Sequence, residues 1–191
     1  QFEKTLFITE KSDSPEKEAL NDTELASKLS YFLWNSPPDS ALLAKAQAQE
    51  ISQDLNKQVD EMISDPRFAN FAERFTRDWL LLDKFDSVKI DQKLYPTLTK
   101  RMKQQLRQEP VEFINYLIQE NLELSNIIDS DFTIGNDLIA EYYKLENKDP
   151  QGYKFRRMEL VDKNRGGLLT QASILAGLSD GHESHPVKRG T

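Results

Sequence analysis

The two histidines of this chain, His182 and His185, stand three positions apart in the stretch HESH. That spacing can bring two imidazoles to one metal ion, with Glu183 or Asp180 adding an oxygen. Gly181 and Pro186 flank the pair, so no regular helix fixes it, and a metal motif needs a fixed scaffold. Loop histidines and no metal site are expected. Asp129 and Asp131, with Glu141 beyond, form the obvious carboxylate group. Acid–base catalysis needs two carboxyls in different environments inside one pocket. The same stretch, DSDFTIGND, is rich in residues whose short side chains satisfy turn and cap amides, which is the use expected here. Arg165, Gly166 and Gly167 precede an apolar run and can offer backbone amides to an anion, with the guanidinium alongside. The triplet lacks the longer glycine-lysine pattern of a phosphate loop, and close helix packing explains it equally well.

A second candidate binding feature is basic. Between Thr97 and Gln108 the chain carries Lys100, Arg101, Lys103 and Arg107 with no acidic residue. On a helix, Lys100, Lys103 and Arg107 share one face, opposite Leu98, Met102 and Leu106. Such a stripe can steer an acidic redox partner or a sulfated polysaccharide in a salt-sensitive way; the alternative is a solvated helix face. Trp34, Trp79, Tyr31, Tyr142 and Tyr143 could stack on sugar rings, but most fall on helical apolar faces, where packing is the default. Serine nucleophiles have no Gly-x-Ser-x-Gly context, so a hydrolase triad is not expected.

These residues must be positioned by helices. Asn21 or Asp22 can cap a helix with Leu25, Leu29, Phe32 and Leu33 on one face. A short helix follows in DSALLAKAQAQ, and another from about Ser52 with Leu55, Val59, Met62 and Ile63 aligned. Asp65 and Pro66 open a helix carrying Phe68, Phe71, Ala72, Phe75, Trp79 and Leu82, which reads as the central core helix. Leu29, Leu33, Phe71, Phe75 and Trp79 are expected to form the contact between these apolar stripes. Pro110 makes the following segment one kinked helix or two. A further helix starts near Asn136, residues 146–164 read as loop, and a last helix runs from Gly166 or Gly167 to about Ala176. No strand pattern is sustained. The expected fold is mostly α, an irregular multi-helix bundle with long loops. Its expected organisation is an extended lead-in over 1–21, a main helical module over 22–164, and a final helix leading into another module over 165–191, with 180–191 extended and mobile.

The chain has 191 residues, a net charge of −7 and no cysteine. Its acidity argues against broad nucleic-acid binding. Without cysteine there is neither a disulfide nor a CxxCH haem attachment within it, and no apolar run approaches the roughly 20 residues needed for a membrane span. It begins at Gln1 with no charged-then-apolar leader, as a processed or excised piece would.

Four stretches, ELASKLSYFLWNSPPDSALL, DPRFANFAERFTRDWL, DFTIGNDLIAEYY and FRRMELVDKNRGGLLTQASILAGLSDGHESHPVKRG, resemble in that order the adjoining modules of unknown function in large secreted cytochrome-c-like proteins first recognised in planctomycetes. The resemblance covers about residues 22–190; LSYFLWNS and RGGLLTQAS are its distinctive elements. The matching positions include Trp34, Asn35, Asp65, Trp79, Asn136, Arg165, Gly166, Gly167 and Arg189. It implies an exported, periplasmic or extracellular multidomain protein whose c-type haem is attached outside this chain, with neighbouring modules of the same polypeptide as partners. Relatives commonly carry RTSPVKRG where this chain has HESHPVKRG, so the resemblance makes His182 and His185 local substitutions and 165–191 a junction. The expected role is a non-catalytic helical scaffold or interaction module, and not an enzyme. The alternatives are a polysaccharide-binding or polysaccharide-processing module, motivated by Trp34 and Tyr31, and an enzyme using Asp129 and Asp131.

Overall fold

The computed structural model describes residues 19–147, 149–161, 164–179, 181, 183 and 187. His182, His185 and Asp180 lie outside the described residues, as do residues 1–18 of the lead-in over 1–21 and most of 180–191. The chain divides into two compact units, 1–71 and 72–191. Its described residues form eight α-helices, three short 3-10 turns and one two-stranded sheet, so the fold is mostly α.

The first unit contains α1 (Asp22–Leu33), α2 (Ser40–Gln47), α3 (Leu55–Ser64) and the start of α4 (Ala69–Trp79). Asn21 caps α1 through a capping box with Glu24, and Asp39 and Asp54 cap α2 and α3. Each cap satisfies an otherwise orphaned N–H of the first turn. Trp34 is buried: its indole donates to the Met62 carbonyl at 3.0 Å, and the Arg67 guanidinium lies 3.4 Å over the ring. Arg67 is held in turn by Asp65 and Asp39. The expected apolar face of α1 is only partly the buried one. Asp22, Ala26, Ser27, Ser30 and Leu33 face inward while Phe32 is exposed. The Asp22 carboxylate accepts the backbone N–H groups of Ile51 and Ser52, which a leucine there could not do.

The second unit is organised by α6 (Lys100–Gln119), preceded by α5 (Leu82–Ser87). Then come β1 (Phe132–Gly135), α7 (Asp137–Tyr143), β2 (Arg156–Glu159) and α8 (Ala172–Gly177). Pro110 lies inside α6 as a single helix and deprives the Leu106 carbonyl of its usual donor. The loss is offset by packing, because residues of α6 enter three apolar clusters among the described residues of this unit. Met102 and Leu106 meet Phe85, Ile139 and Tyr143; Val111 meets Ala72, Leu82 and Ile174; Phe113, Ile114 and Leu117 meet Phe132, Ile134 and Leu168.

Three expectations are corrected. A strand occurs within FRRMEL, which was read as loop: β2 pairs antiparallel with β1 in the register Phe132 with Glu159 through Gly135 with Arg156. Four-residue strands are too short to show a period, and only tertiary pairing reveals them. The last helix begins at Ala172, after a 3-10 turn over Leu168–Thr170, because Gly167 at φ +64 breaks the helical path. Trp79 and Phe75 are not core residues: they are 47% and 42% exposed and pack on each other with tilted rings at 5.4 Å, while Ala72 and Thr76 supply the buried face of α4. Trp79→Ala should therefore cost less than about 1.5 kcal/mol, within the range of an exposed aromatic pair. A thermal or urea unfolding measurement showing the several kcal/mol of a buried tryptophan would contradict this placement.

Candidate functional site

A carboxylate on the apolar face of α6 is the least expected feature of the second unit. Glu109 follows Leu106 by three positions and precedes Phe113 by four, so helical geometry turns it toward the core. It is fully buried. Thr133 on β1 donates its hydroxyl to Oε1 at 2.8 Å, and Tyr143 at the end of α7 donates to Oε2 at 2.6 Å. The Tyr143 oxygen also accepts the backbone N–H of Ala172, the first residue of α8, at 2.9 Å. One acid thus joins α6 to β1 and α7, and through Tyr143 to α8.

Local sequence sets the other three elements in place. Asn136 caps α7 through Ile139 N–H and donates to Gln105 of α6 at 2.6 Å. The Asp137 carboxylate gathers the loop before β2, accepting from Asn147, Arg156 and the backbone of Gln151 and Gly152. Burial would raise its pKa, but these donors outweigh it and hold the pKa at about 2. Gly166 and Gly167 run against the segment before β1. A Cβ on Gly166 would lie 2.6 Å from Asp129 Oδ1, and one on Gly167 would lie 2.5 Å from the Ile127 carbonyl oxygen.

Burial pushes the Glu109 carboxyl up to about 7, against the opposing pull of the Tyr143 and Thr133 hydrogen bonds and the Arg165 charge. Burial together with Glu109 raises the Tyr143 phenol well above its ordinary value. Arg165 places its guanidinium 4.0 Å over the Tyr143 ring and makes one long hydrogen bond, 3.4 Å, to the Thr170 carbonyl. Glu109, Arg165 and the buried Gln171 line a cavity of about 10 Å³, room for about one water. Both ends of the Gln171 amide lack a hydrogen-bond partner among the described residues. On its other side Arg165 borders a more open cleft of about 300 Å³. Chemically, Glu109 can exchange a proton near neutral pH, but the space it touches is water-sized.

The residues singled out by sequence are dispersed. Asp129, Asp131 and Glu141 are exposed, and Asp131 pairs with Arg157. The amides of Gly166 and Gly167 donate to the hydroxyls of Thr170 and Ser130. Of the basic stripe, Lys100 is exposed, whereas Lys103 donates to the carbonyls of Asp86 and Val88 at the C-terminal end of α5, where a cation suits the helix dipole. Arg107 joins Glu73 and Asp86. Tyr143 and Arg165 are brought together; Glu109, Thr133 and Gln171 were missed. The readable signal for Glu109 was its place on the apolar stripe of α6; Gln171 carried none.

Among the described residues, no group of three or more His, Cys, Asp or Glu could hold a metal ion, and no helix is long and apolar enough to cross a membrane. Without cysteine, the chain carries no thioether attachment for a c-type haem. No curated protein and no solved structure matches the chain. A family model does match, over residues 20–145, more than half of the chain; it takes in Glu109, Thr133 and Tyr143 and stops before Arg165 and Gln171. The chain belongs to the family PSD4, described as protein of unknown function (DUF1592).

Proposed function

We propose that this chain is a non-catalytic helical scaffold and interaction module of an exported, multidomain cytochrome-c-like redox protein. The observation that carries the reading is the buried polar joint at Glu109. The buried acid is engaged by Thr133 and Tyr143 and, among the described residues, lines a water-sized cavity, which suits locking four elements together and does not suit turnover. Among the described residues, the exposed carboxylates Asp129, Asp131 and Glu141 are not on the lining of that cavity. The haem-bearing and exported setting is supported by the sequence resemblance of the four quoted stretches, and neighbouring modules of the same polypeptide are the partners it favours. The polysaccharide reading draws less support, since Trp34 is buried with its indole bonded inside the fold.

The protein expressed from its complete gene tests this. Its pyridine haemochrome spectrum should show covalently held c-type haem, and joint substitution of Asp129→Asn, Asp131→Asn and Glu141→Gln should leave the rate of haem reduction unchanged. Absence of covalent haem would remove the proposed setting. A large loss of turnover from those three exposed positions would remove the non-catalytic role.

A further inference from the structure

We propose that the cleft beside Arg165 is a binding site for a small organic carboxylate with a flat or short apolar body. The inference goes beyond the scaffold reading. The cleft holds about 300 Å³, within the range of small-molecule sites. Val88, Ile90, Leu98, and Leu175 and Ala176 of α8 are on its lining, together with Tyr95 and Tyr142. Apolar side chains of this kind favour a hydrocarbon or aromatic body.

Arg165 provides the complementary charge. It is partly buried, and it has no carboxylate within ion-pair distance among the described residues, although the chain as a whole is acidic. Its one hydrogen bond among the described residues is long, and its ring contact with Tyr143 occupies a face of the guanidinium, which leaves edge N–H donors for a ligand. Those donors form a planar fork that matches a carboxylate. Glu183, also on the lining, disfavours ligands of higher negative charge. The Glu109 carboxyl beyond Arg165 ionises only near neutrality and below that leaves the Arg165 charge uncompensated. A guanidinium at the edge of an apolar slot, with aromatic side chains beside it, is the recognition chemistry of an amphipathic monocarboxylate.

Benzoate and its neutral isostere benzamide are suitable probes, titrated into the full chain and followed by the backbone amide shifts of Ala172, Leu175 and Ala176. Benzoate should bind saturably and at least roughly tenfold more tightly than benzamide, as a charged hydrogen-bond pair implies. Arg165→Met should reduce benzoate to the benzamide level and leave benzamide unchanged; Arg165→Lys should recover part of the difference. Ala176→Leu, which fills the cleft, should abolish both, with circular dichroism verifying the fold of each variant. Equal affinity for benzoate and benzamide in the unsubstituted chain, an absence of saturable shifts, or benzoate binding undiminished in Ala176→Leu overturns the site. The first and third of these hold even if Arg165→Met fails to fold.

Discussion

Phe113→Ala should destabilise the second unit by about 3–5 kcal/mol, the range for deleting a fully buried aromatic. Phe113 is wholly enclosed, stacks on Phe132 at 5.5 Å and packs with Ile114, Leu117, Ile134 and Leu168. Because α6 is anchored to other clusters along its length, the space left by the ring cannot close by a simple shift of the helix. Urea unfolding, with hydrogen exchange of the α6 amides as a local readout, measures the loss. Leu124→Ala, at an exposed position, serves as the control and should fall within about 0.5 kcal/mol of the parent. A loss for Phe113→Ala no larger than that of the control would show that the ring does not hold α6 to the sheet.

Glu109→Gln should abolish a decline in stability that the parent shows as pH rises from about 4.5 to about 7. In the unfolded chain this carboxyl ionises near its ordinary value of 4.5, whereas in the folded chain burial delays ionisation to about 7. Below that window both states are protonated and the group costs nothing. Within it the unfolded chain releases the proton first, so the folded state loses on the order of 3 kcal/mol by the time pH exceeds the folded value. Asp65 and Asp137 act with the opposite sign. Both are held at about 2 in the fold, chiefly by the Arg67 side chain at Asp65 and by the Asn147 and Arg156 donors at Asp137, so the stability they add is present above about 4 and is lost as pH falls toward 2. The maximum should therefore lie between the two windows. Glutamine can accept from Tyr143 through its oxygen and donate to Thr133 through its nitrogen, so the joint survives without a titrating group. Chemical denaturation at a series of pH values decides it: an unchanged profile in Glu109→Gln would place the titrating group elsewhere.

Sequence alone determined the helical class and many of the local starts. Asn21, Asp65 and Asn136 are short acceptors ahead of helical or 3-10 segments, and each satisfies a first-turn amide in the structure. This information is local, held within three or four residues, and therefore readable. The four stretches that suggested a family were also legible without coordinates, since the pattern of residues carries it.

Burial was decided by tertiary structure. Phe75 and Trp79 looked like core by size and spacing, yet a helix has several plausible faces, and α4 turned its small residues Ala72 and Thr76 inward. The charges of α6 looked like one exposed stripe, but Lys103 and Arg107 found partners on α5 and α4 that no reading of α6 by itself could supply. Glu109 shows the same limit most clearly. Its place on the apolar stripe was visible, but the value of a buried carboxylate depends on what meets it, and Thr133, Tyr143 and Arg165 come from 24, 34 and more positions away along the chain. Desolvation and hydrogen bonding act over ångströms in space and without regard to sequence separation, so only the folded arrangement could turn an ordinary helix glutamate into a group that ionises near neutrality.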